Sequence, residues 1–88
     1  MEIEFDPAKN RRNTAKHGVS LQMAESFEIE TAVIRMDWRK AYGEPRFNAL
    51  GYIGLRLYHM TFTLRGDAIR VISLRKANRR EIKRYAET

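Results

Sequence analysis

Polar and apolar residues alternate from Glu2 to Phe5, the pattern of a short strand. Asp6-Pro7 then reads as a helix start, because Asp accepts a bond from a free backbone N–H and Pro suits the first helical position. This helix should run to Lys16–His17 and stop at Gly18, a residue at ease in the left-handed conformation. Ser20 can cap a second helix, with Leu21, Ala24 and Phe27 on one face. Beyond Glu30 the period changes to two: Ala32, Ile34 and Met36 alternate with Val33 and Arg35. A polar loop, Asp37 to Pro45, leads to a strand whose Phe47, Ala49, Gly51 and Ile53 share a face. Gly54 permits a tight turn into Leu55–Thr63. Arg65-Gly66-Asp67 makes a second turn into the β-rich run Ala68–Arg75. Asn78 with Glu81 has capping-box spacing, and Ile82, Tyr85 and Ala86 give the last helix an apolar stripe. The expected architecture is α+β in the order β-α-α-β-β-β-α. An antiparallel sheet should pack against the N-terminal helices, with a short helix at the C-terminus.

The chain has 88 residues, one domain's worth, and a chain this short has little stability to spare. It has no cysteine, so neither a disulfide framework nor a cysteine-ligated zinc is available. No internal repeat or linker divides it. No segment reads as a signal peptide or bilayer span, so a cytoplasmic location is expected. Lys and Arg number 17 against 11 Asp and Glu, and the excess is uneven. Arg65 to Thr88 holds eight basic and three acidic residues. Charge of this kind suits a polyanion or a merely solvated face, and on charge alone the two stay level.

The last helix sharpens the choice. Arg79 and Arg80 lie in its first turn, where the helix dipole disfavours cations, and Arg75 and Lys76 lie just before it. A bound phosphate would relieve this conflict; neutralisation by Glu81 and Glu87 is the alternative. Arg79 stands three residues before Ile82 and is expected to lean toward the sheet. His17 ends the first helix, where a cationic imidazole is favoured, and it is a side chain of the kind that exchanges protons. His59, in mid-strand, reads as a packed or rim residue. Neither histidine has metal-ligand spacing, and no metal site is expected. No phosphate-binding glycine loop or serine triad is present. Trp38 and Tyr42 could stack on bases or meet a protein partner.

These residues together resemble the BrnT toxin family. The resemblance rests on Phe5–Lys9, Asn13, Lys16–Ser20, Gly43-Glu44, Arg46-Phe47 and Leu50-Gly51. It continues through Arg65–Asp67, Ile69–Ser73, Arg75–Ala77, Arg79–Glu81 and Tyr85. It implies a RelE-like fold, an RNA-cleaving toxin and a BrnA-like antitoxin. It also implies that the toxin–antitoxin complex binds promoter DNA, mainly through the antitoxin. Metal-free cleavage uses the RNA's own 2′-hydroxyl and needs cations at phosphorus and groups that move protons. The expected catalytic set is Arg75 and Arg79 for charge, and His17 or Tyr85 for protons with Lys16 adjusting His17; Glu44 is a weaker option. Arg46, Arg65, Arg70, Lys76 and Arg80 are expected to bind the RNA backbone. The rival readings are a non-catalytic nucleic-acid-binding module and a protein that folds stably only with its partner.

Overall fold

The structure, a computed structural model, describes residues 2–38 and 43–88. Strand β1 (Glu2–Glu4) leads into helix α1 (Pro7–His17). Asp6 caps α1 by accepting from the Ala8 N–H at 3.0 Å, and Gly18 ends it at φ 69°. Four strands follow: β2 (Val33–Met36), β3 (Phe47–Ile53), β4 (Arg56–Arg65) and β5 (Ala68–Lys76). Helix α2 (Arg79–Ala86) closes the chain.

Three expectations are corrected. The second helix is a 3₁₀ helix, Leu21–Ser26, followed by a shorter one at Ile29–Thr31. Leu21, Ala24 and Phe27 recur at an interval of three, which lines up on a helix of three residues per turn. Among the described residues, four strands rather than three follow the helices, because the alternating segment at Val33–Met36 pairs with β3 as a strand in its own right. The sheet is mixed, in the order β1-β5-β4-β3-β2. The four later strands are antiparallel, whereas β1 lies parallel to β5, Ile3 beside Ile69. Both hairpin turns place Gly at their first central position, Gly54 at φ 60° and Gly66 at φ 57°. That is the type II′ pattern, whose twist matches that of the paired strands.

One sheet face is the core. Ala49, Tyr58, Met60, Phe62, Ile69, Val71 and Leu74 are buried there against Val19, Leu21, Ala24 and Phe27. The approach is close at Gly51: a Cβ there would lie 2.6 Å from Phe27 Cζ. Helix α1 lies along the part of β5 that β1 leaves unpaired. Buried Asn13 takes the place of a strand residue there. Its amide nitrogen donates to the Leu74 and Val19 carbonyls, each at 2.8 Å, and its oxygen accepts from the Leu74 N–H at 3.1 Å. Among the described residues, the opposite sheet face is covered at one end only, by α2.

Candidate active site

The open face is built from cross-strand rows. Antiparallel register sets His59 of β4 between Leu50 of β3 and Arg75 of β5. The next row runs Arg35, Asn48, Thr61, Ser73. Thr61 donates its hydroxyl to Asn48 Oδ1 at 2.8 Å, which ties the middle of that row. A register shift at Thr61/Phe62 leaves Ile72 as an extra residue in β5. This bulge changes the phase of the strand, so Leu74 enters the core and Ser73 and Arg75 turn to the open face.

Helix α2 supplies the wall. Its first turn is held by a full capping box: Asn78 Oδ1 accepts from the Glu81 N–H, and Glu81 Oε1 from the Asn78 N–H, each at 2.9 Å. The same carboxylate grips Arg75 with both oxygens, at 2.8 and 2.9 Å. A two-pronged contact of this kind fixes the guanidinium plane. Glu81 is buried, yet the Arg75 guanidinium and the Asn78 N–H hold its carboxyl at about 2, against the penalty of burial. Burial works against Arg75 too, but its bonds and charge attraction to Glu81 raise its pKa overall.

Together these residues line a cleft of about 480 Å³ that includes Arg35, Asn48, His59, Arg75, Glu81 and Arg84. Trp38 stands at its edge, 82% exposed. Neither Arg35 nor Arg84 forms an ion pair with a described residue. Among the described residues, three arginines against Asp37 and Glu81 leave the cleft positive. It can hold a phosphate between arginines, present an imidazole to it and offer an indole face to a base.

The expected residues distribute unevenly. Arg75 is in the cleft. Arg79 is exposed at the start of α2 and does not line it. The inward positions of α2 are Glu81 and Tyr85, with Ile82 44% exposed. At about 100° per residue this puts Arg79 on the outward side with Lys83. The expected apolar stripe is thus replaced by a buried carboxylate and a tyrosine. Tyr85 packs edge-on against Tyr52 at 5.5 Å and donates its hydroxyl to the Thr31 carbonyl at 2.9 Å. It pins α2 to the body outside the cleft. His17 and Lys16 line a separate depression with Lys9 and Arg12. The neutral form of His17, not the cation, is favoured: burial, then Lys16, then Arg75 lower its pKa. Arg65 pairs with Glu44 at 3.7 Å and Arg70 with Glu4 at 3.5 Å. Lys76 and Arg80 are exposed near the start of α2, and Arg46 is half-buried before β3. Tyr42 lies outside the described residues.

His59, Arg35 and Arg84 belong to the cleft but were not singled out as catalytic or RNA-binding by the sequence. Cross-strand register carries the signal for His59 and Arg35, and helix phase carries it for Arg84. Neither is visible without knowing which strands pair and which side of α2 faces the sheet. Among the described residues no three His, Cys, Asp or Glu side chains are grouped to hold a metal ion, and no helix is long and apolar enough to cross a membrane.

Fold and cleft define a small α+β protein with an arginine-rich cleft on one sheet face. Residues 5–81 match the family of the BrnT ribonuclease toxin of type II toxin–antitoxin systems. The chain belongs to that family. No curated protein matches it.

Proposed function

We propose that the protein is the endoribonuclease toxin of a type II pair, with a RelE-like mode of folding, and that it cleaves RNA in the β3–β4–β5 cleft without a metal ion. The observation that carries this reading is Arg75, clamped by Glu81, beside the imidazole of His59 on an open, positive sheet face. In the proposed reaction the 2′-oxygen attacks the adjacent phosphorus and His59 takes the hydroxyl proton. The bond to the 5′-oxygen breaks, and that oxygen leaves with a proton from solvent. The products are a 2′,3′-cyclic phosphate and a 5′-hydroxyl. Arg75 is a fixed donor to the phosphoryl oxygens. Part of its charge is offset by Glu81, so the net positive field comes from Arg35 and Arg84. Trp38 stacks on a base. A BrnA-like antitoxin neutralises the toxin in the cytoplasm, and the complex binds promoter DNA mainly through the antitoxin.

The test is RNA cleavage in excess chelator, with analysis of the ends. Cyclic phosphate ends are expected. His59→Gln should lower the single-turnover rate by about 10²–10⁴, the usual contribution of a positioned acid or base, with RNA affinity little changed. Activity seen only after magnesium is added, or full activity in His59→Gln, would overturn the mechanism.

A further inference from the structure

Helix α1 carries five cationic or imidazole side chains, Lys9, Arg11, Arg12, Lys16 and His17, and no acidic residue. A helix face that merely meets water gains from carboxylates placed three or four residues from its cations, and loses by similar amounts from like charges at that spacing. Here Lys9 and Arg12 are three apart and Arg12 and Lys16 four apart, so the three form one like-charged stripe. At about 100° per residue they fall within an arc of roughly 60°, while Arg11 points to the opposite side. None of the three forms an ion pair with a described residue.

The stripe is also shaped. Lys9, Arg12, Lys16 and His17 line a depression of about 300 Å³ whose floor is Ile72 and Ser73 of β5. Ile72 is the bulge residue, and Ser73 stands two positions before Arg75 of the cleft on the same strand. The depression therefore adjoins the cleft along β5. The lowered pKa of His17, to which the Arg75 charge contributes, is in keeping with that proximity.

We propose that Lys9, Arg12 and Lys16 form a second binding site, which holds the sugar–phosphate backbone of the RNA outside the scissile step. Its ligand is a run of phosphodiesters, held by charge and without base recognition. The stripe covers about 10 Å along the helix axis, so it serves long RNA and is idle when the substrate fills only the cleft. The inference rests on the ribonuclease reading for its substrate, but its binding test does not require cleavage.

Two adjacent residues provide a matched pair. Arg12→Gln and Arg11→Gln remove the same charge from opposite sides of α1. Binding of each variant to a 30-nucleotide single-stranded RNA is measured at several salt concentrations, beside cleavage of a tetranucleotide. Arg12→Gln should flatten the slope of log affinity against log salt by about 0.7, and Arg11→Gln should leave it unchanged. The triple variant Lys9→Gln/Arg12→Gln/Lys16→Gln should flatten it by about 2. It would thereby lose about 20-fold less affinity than the wild type between 50 and 200 mM salt. Tetranucleotide cleavage should be unaffected by Arg12→Gln and by Arg11→Gln. Equal effects at positions 11 and 12 would reduce the stripe to net-charge attraction and overturn the site. So would an Arg12→Gln that weakens antitoxin binding and leaves the RNA slope intact, since the stripe would then seat the antitoxin. A wild-type protein that binds RNA with the expected slopes but cleaves nothing would sink the ribonuclease reading and leave the site standing.

Discussion

Asn13 shows how much one side chain can carry in a small domain. Its three buried hydrogen bonds satisfy the Leu74 N–H, the Leu74 carbonyl and the Val19 carbonyl. Asn13→Ala leaves the Leu74 N–H and carbonyl without that partner and the Val19 carbonyl with only the 3.4 Å bond from the Thr14 hydroxyl, and an unsatisfied buried group costs about 1–3 kcal/mol. We expect a loss of about 3 kcal/mol or more, read as a lower denaturation midpoint in urea. A midpoint unchanged within error would mean that water replaces the amide at no cost. Arg84 and Arg79 form an informative pair at the same scale, one lining the cleft and the other on the outward side of α2. Loss of a charged contact to phosphate costs about 1.5–3 kcal/mol. Arg84→Ala should therefore reduce kcat/KM on RNA by roughly tenfold to a hundredfold, and Arg79→Ala should change it by less than about twofold. The reverse order would return Arg79 to the site.

Among the elements, the 3₁₀ segment and β3 depend on each other through Gly51. A Cβ at this position would meet Phe27 Cζ at 2.6 Å, Phe27 Cε1 at 2.8 Å and Ala32 Cβ at 3.1 Å. Phe27 is buried, so it has little room to retreat. Gly51→Ala is expected to cost about 1–3 kcal/mol, as overpacking does, and to lower Tm by several degrees. Adding Phe27→Leu should recover part of the loss, because the offending ring is gone. Failure of that rescue would place the cost in the strand rather than in the contact. The β5 bulge works at this scale as well. It lets one strand bury Ile69, Val71 and Leu74 and still turn Arg75 toward His59, which strict alternation does not allow.

For the whole molecule, the Arg75–Glu81 pair ties the last helix to the sheet and makes stability depend on acid. The Glu81 carboxyl lies at about 2 in the folded protein, against 4.5 for an unperturbed group. A carboxylate whose folded pKa is depressed adds stability above its unfolded pKa and loses it as pH falls through the folded value. Wild type should thus lose stability between about pH 4.5 and 2, on the order of 2 kcal/mol after allowing for solvent at the Arg75 side. Glu81→Gln should be less stable at neutral pH and should lack this acid-dependent loss. Equal acid sensitivity of the two proteins in denaturant melts would assign the acid transition to other carboxylates.

The local grammar of the fold was legible in the chain itself. Asp6-Pro7 and Gly18 bound α1, Gly54 and Gly66 turn the hairpins, and the Asn78–Glu81 box starts α2. Each of these signals acts through the backbone within a few residues, so it needs no knowledge of the rest of the molecule. The identity of the core was legible for the same reason, because alternation marks one face of each strand. The site was legible only in part. Arg75 was found by its charge beside α2, but strict alternation from Ile69 and Val71 would have aimed it into the core. His59 reads as a packed or rim residue because its neighbours in space, Arg75 and Glu81, lie 16 and 22 residues away in sequence. Arg79 is expected to lean toward the sheet because Ile82, three residues on, reads as an inward position, whereas the Arg75–Glu81 ion pair turns Glu81 inward instead. Side-chain direction in a sheet reverses with a slip of one residue. What each face of this protein offers was therefore decided by register, by one bulge and by one buried ion pair, all of them products of tertiary contact.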